Sequence, residues 1–199
     1  MRGLPTEIQI NNKIYKIRNN GDYRIILDCF SLLNNAELEE RYRIVAALIA
    51  FYEGLTLDNF STFFESNVEK AVKEMFDFME CYQKQNPIHK NYVLYSWEDD
   101  EQLIFSAINE VAKYEVRNPD VYCHWFTFMG YFNQIGDGAF STVISIRKKI
   151  VEREKLEKWE QKFKRENPHY FMWQYKTQEQ QAREQEIMSL WNKKGGENK

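Results

Sequence analysis

Glycine and proline are scarce in this chain, 8 and 4 of 199 residues. So few turn signals argue against a sandwich of many short strands and for long helices. Histidine is scarcer still: His89, His124 and His169 stand far apart. Cys29, Cys81 and Cys123 are odd in number and widely spaced, which argues against a disulfide framework. They read as small buried hydrophobes in a reducing compartment. A phosphate-binding loop, a dinucleotide glycine motif, a nucleophile elbow and a zinc-binding cysteine pair are all missing. No apolar run approaches the roughly 20 residues that span a bilayer. The start of the chain has no apolar signal region. The expectation is a soluble protein that is not an enzyme and carries no cofactor and no metal.

Large apolar side chains are plentiful. Hydrophobic residues make up 43% and aromatics 16% of the chain, enough to bury a substantial core. The net charge of -3 hides an asymmetry. Residues 1–146 carry 13 basic against 21 acidic residues, and residues 147–199 carry 14 against 9. An acidic body therefore precedes a basic tail, and the two attract each other or meet different partners.

Periodicity sets out the elements. Glu7–Ile10 and Lys13–Ile17 alternate around Asn11-Asn12, the pattern of a hairpin whose turn tolerates positive φ. Asp22 precedes a helical stripe of Ile25, Ile26, Cys29, Phe30 and Leu33 that ends at Asn34-Asn35. A second helix carries Leu38, Tyr42, Val45, Ile49 and Tyr52 and closes at Gly54. Leu55–Phe64 reads as a connector packed on the core. Ser66 and Glu69 have capping-box spacing before the stripe Val68, Val72, Met75, Phe76, Met79 and Tyr82. Lys84–Ser96, around Pro87, is a loop. Ser96 is then placed to cap a helix with acidic residues in its first turn.

Val121–Phe132 packs two Tyr, three Phe, one Trp, one Met and one Cys into twelve residues. Asn118-Pro119 marks the start of this helix, and Gly136-Asp137-Gly138 ends it. A helix apolar on nearly all sides belongs at the centre of a domain. The next helix carries Phe140, Val143, Ile144 and Ile150 and ends in Arg147-Lys148-Lys149, a basic end expected to face solvent. Beyond it lies a charge-rich arm with the thin stripe Leu156, Trp159 and Phe163, then Pro168 and the cluster His169–Trp173. The fold expected is mainly α: a single-domain helical bundle with an N-terminal β-hairpin in residues 1–20, a helical core in 21–150 and a C-terminal helical arm in 151–199.

Candidate chemistry is thin. Cys123 and His124 are sequence neighbours, which point apart on a helix and do not chelate one ion together. Glu98–Glu101 and Asp120 could in principle supply catalytic carboxylates or hold a cation, but a helix first turn explains Glu98–Glu101 far better. Nine Lys or Arg between Arg147 and Arg165, with Trp159 and Phe163 among them, have the composition of a nucleic-acid binder. Glu152, Glu154, Glu157 and Glu160 interleave with them, and the sequence pI is about 5.8, which favours a solvated, ion-paired helix instead. The better reading is protein–protein contact. Large aromatics amid basic residues are hot-spot composition, and they select Arg147, Lys148, Lys149, Trp159, Phe163, Phe171, Trp173 and Trp191 as partner-binding candidates.

An ordered string of motifs carries a resemblance. Cys123-His124-Trp125, the turn Gly136-Asp137-x-x-Phe140-Ser141, Ser145-Ile146-Arg147-Lys148-Lys149, Lys155-Leu156-Glu157-Lys158-Trp159-Glu160 and Arg165-Glu166-Asn167 follow one another. Asp22–Asp28 adds an opening helix. Over Asp22–Asn167 the chain resembles the bacteriophage gene-product-fifteen family. That resemblance implies a tail morphogenesis protein encoded beside the tape-measure gene and acting in the host bacterial cytoplasm. The expected role is a tail assembly chaperone whose first partner is the tape-measure protein and whose second is the major tail protein of the tube. Self-association, or retention as a minor tail component, are the other readings it leaves open.

Overall fold

A computed structural model describes residues 3–83 and 94–172. It is mainly helical with one antiparallel hairpin, as the pattern led us to expect. The elements are β1 (Glu7–Ile10), β2 (Lys13–Lys16), α1 (Tyr23–Asn34), α2 (Glu40–Phe51), α3 (Phe60–Phe63), α4 (Val68–Met79), α5 (Glu101–Ala112), α6 (Trp125–Asn133), α7 (Ala139–Val151) and α8 (Lys158–Glu166). They form two compact units. The first holds residues 3–83 and Tyr122–Phe128; the second holds residues 94–121 and 129–172.

In the first unit β1 and β2 pair with Ile8 opposite Tyr15 and Ile10 opposite Lys13. Asn11 supplies the positive φ of the turn. A two-stranded hairpin is marginal in water, so it needs a support. Ile8, Ile10 and Tyr15 are buried, and the Tyr15 ring meets Tyr52, Phe63 and Phe64. Arg18 donates to the carbonyls of Ile49, Ala50 and Tyr52, covering the negative end of α2. Asp22 caps α1 by accepting from the Arg24 amide. Ile26, Cys29, Ala47, Leu48 and Phe51, from α1 and α2, are fully buried together.

Two expectations are corrected in this unit. Ser66 and Glu69 make no capping box: Ser66 lies in left-handed backbone, and Asn67 occupies the N-cap of α4. The aromatic helix begins at Trp125, not just after Pro119. Asp22 and His124 form an isolated antiparallel bridge, with Tyr23 N–H donating to the Cys123 carbonyl and Cys123 N–H to the Asp22 carboxylate. Those bonds hold the chain before Trp125 extended.

The second unit is built on α5 and α7. Ser96 is not the cap of α5, which begins at Glu101 with Asp100 in the N-cap position. Ser96 Oγ accepts from Asp99 N–H and Asp100 Oδ2 from Ser96 N–H, closing the turn that precedes the helix. At the Gly136–Gly138 break the helix does end; Gly138 N–H donates to Ser141 Oγ at the start of α7. The expected helix over Val151–Arg165 is interrupted. At the end of α7, Arg153 adopts φ 58°, Glu154 N–H donates to the Lys149 carbonyl and Arg153 N–H to that of Ile150. This is a Schellman ending made without glycine.

Candidate partner-binding surface

α7 and α8 position the basic cluster, and they sort its members sharply. Arg147 is turned inward, 2% exposed, which corrects the expectation that the whole basic end of α7 faces solvent. Its guanidinium meets Asp100 as a fork, at 2.6 and 2.8 Å. It also donates to the Leu94 carbonyl at 2.9 Å and twice to the Tyr170 carbonyl, at 2.9 and 2.6 Å. One side chain thus joins the turn before α5, helix α7 and the segment Pro168–Phe171. Such a charge is tolerated inside because every bond it makes is charge-assisted and well directed.

Lys148 is exposed. Lys149 reaches Glu160 of α8 at 2.7 Å. Glu160 is 1% exposed, so it is no part of a solvated charge face. Its second oxygen accepts from Glu157 N–H at 2.7 Å, capping α8 from within. The Lys149 ammonium holds this carboxyl below its usual range. The described part of the arm is therefore tied to α7 by two polar attachments, one through Glu160 and one through the Tyr170 carbonyl.

Trp159, next to Glu160, points away from that attachment and is 56% exposed. Phe163 lies one turn further along the same face. It is half-buried and meets the Phe171 ring edge-on, with centroids 6.3 Å apart. Met172, 79% exposed, follows Phe171 in the chain. Lys155, Lys158, Lys162, Lys164 and Arg165 are exposed around it. The structure thus keeps Trp159, Phe163 and Phe171 in one ridge, removes Arg147 to the interior and gives Lys149 to an internal bond. Trp173 and Trp191 lie outside the described residues. Sequence reading missed Met172, Asp100 and Glu160; an acid in a charged run carries no local mark of burial.

The remaining candidates have structural employment. His124 is buried, with Nε2 donating to the Pro5 carbonyl at 2.9 Å and Nδ1 accepting from Phe126 N–H at 3.0 Å. Cys29 and Cys123 are buried, and burial pushes the Cys29 thiol up to about 12. Among the described residues, no group of three or more His, Cys, Asp or Glu converges as a metal site, and no helix is long and apolar enough to cross a membrane.

The family model described as Bacteriophage Gp15 protein matches residues 2–172. The chain belongs to that family. It is thus a phage-related protein, and the match runs to Met172, two residues beyond the carbonyl that Arg147 holds. No curated protein and no solved structure matches this Gp15-family chain.

Proposed function

We propose that this Gp15-family protein is a non-enzymatic tail assembly chaperone, acting in the host cytoplasm on the tape-measure protein. The observation that carries the reading is Trp159. A large aromatic left more than half exposed on a helix whose other side is firmly attached has the form of a binding anchor. Family membership supports the phage context. A chaperone of this kind needs such a surface, because it must shield long apolar helical segments before they assemble.

Co-expression with the tape-measure protein of the same genome, followed by size-exclusion chromatography, tests the reading. Co-elution, and tape measure that is soluble only when this chain is present, are expected. Tape measure that is equally soluble alone and never co-elutes would sink the idea. Detection of the chain in purified particles would instead favour a minor structural component of the tail.

A further inference from the structure

We propose that the ridge Trp159–Phe163–Phe171–Met172 receives an amphipathic helix whose apolar stripe is flanked by acidic residues. This names the chemistry of the partner and rests on the reading of the ridge as a protein-binding surface.

Arg147 is neutralised by Asp100 and Lys149 by Glu160, both inside the second unit. These pairings remove Glu160, the acid nearest Trp159, from the surface. Among the described residues the exposed groups that remain around the ridge are Lys155, Lys158, Lys162, Lys164 and Arg165, opposed by Glu154, Glu157 and Glu166. Lys162 and Glu166 approach to only 3.8 Å, with both side chains more than half exposed. A contact of that kind gives way to a better partner. The face is therefore basic with an apolar centre.

Its shape fits a helix. Trp159 and Phe163 are four residues apart on one face of α8, Phe163 meets Phe171, and exposed Met172 follows Phe171 in the chain. Apolar side chains at helical spacing are what a second helix packs its own stripe beside. Carboxylates on the flanks of that helix then meet Lys158 and Lys162, whereas a basic helix would meet like charge there, and that repulsion separates the two partners. The same basic and aromatic composition suits single-stranded nucleic acid, but Phe163 and Phe171 are half-buried against each other and Met172 has no ring. The ridge thus offers few open ring faces for bases to stack on, whereas all four side chains can pack against an apolar stripe.

Full-length protein is titrated against three labelled peptides that share one amphipathic stripe and differ only in flanking Glu, Gln or Lys, read by fluorescence anisotropy. The Glu-flanked peptide is expected to bind at least tenfold more tightly than the Lys-flanked one, with the ratio narrowing as salt rises. Trp159→Ala weakens it, and the double variant K158E/K162E reverses the order of preference. These side chains are exposed, so circular dichroism should be unchanged. Equal binding of all three peptides, or none, overturns the proposal. Displacement of the Glu-flanked peptide by an oligothymidine at physiological salt overturns it in favour of nucleic acid. The chaperone reading is judged separately by tape-measure co-elution, which survives if the client's acidic flanks prove irrelevant.

Discussion

At the scale of single residues, His124 shows how a side chain that looks chemical is consumed by structure. Both ring nitrogens are committed to backbone: Nε2 gives its proton to Pro5, so Nδ1 must be bare to accept from Phe126. Gly21 makes room beside it. A Cβ there would lie 3.0 Å from Nε2 and 3.1 Å from the Phe78 ring, on backbone already at φ 78°. Burial lowers the His124 pKa from 6.5, more than the Pro5 carbonyl and the Asp22 carboxylate raise it. A base whose folded value lies below its unfolded one binds its proton more readily in the unfolded chain. Its contribution is therefore complete above pH 6.5 and is lost as pH falls through the lower, folded value. The melting temperature of the wild type should drop over that interval. His124→Asn, which keeps an acceptor near the Phe126 amide but does not titrate, should flatten the curve. Glu115, held down to about 2 chiefly by its bond to Arg117, and Glu160 act only below the ordinary glutamate value of 4.5, so the windows separate. A wild-type curve no steeper than the variant's between 6.5 and 4.5 would refute this.

At the scale of elements, helix positions were readable from apolar spacing, and so was the Asp22 cap. Helix ends were readable only in part: Asn34-Asn35 does end α1, but two other ends carry no glycine. α4 and α7 both finish in Schellman turns whose left-handed residue is Cys81 or Arg153, so a search for glycine misses them. A non-glycine residue there costs about 1–2 kcal/mol, partly offset by the greater chain entropy glycine would lose. Arg153 is exposed. Arg153→Gly is thus expected to stabilise by about 0.5–1 kcal/mol in urea unfolding; a loss of stability would show that the arginine does more than cap. Also unreadable was the pairing of Asp100 with Arg147, because 47 residues of chain separate them and no local pattern links them. Arg147→Met should cost about 3–5 kcal/mol, since it strands a buried carboxylate. The double variant with Asp100→Leu should cost less than the two singles summed. It should not return to wild type, because the Leu94 and Tyr170 carbonyls lose their donor. Strict additivity in that cycle would mean the fork carries no coupling.

At the scale of the molecule, composition foresaw a helical protein with a substantial core, but not how the chain is shared between units. The aromatic run was legible as core. Which core it completes was not, because burial in a sequence pattern carries no address. The structure gives Tyr122–Phe128 to the first unit. There the Trp125 indole donates to the Met79 carbonyl at 2.9 Å, and Phe128 stacks on Tyr23 with ring centroids 4.4 Å apart. Trp125 and Phe128 are at most 1% exposed. Burying an aromatic of this size is worth about 1.5–3 kcal/mol, and the bonds through Cys123 and His124 add to it. Losing both rings removes a sum comparable to the whole stability of a small domain, about 5–15 kcal/mol. A fragment ending at Gln83 contains both hairpin strands and α1–α4, and by chain continuity alone it looks like a complete module. It is nevertheless expected to show no cooperative thermal transition by circular dichroism, because it lacks the seven residues that return to it from a distant part of the chain. A cooperative melt close to that of the intact protein would mean that α1, α2 and α4 close their core without Trp125 and Phe128, and that the returning segment is an attachment to the first unit and not part of its core.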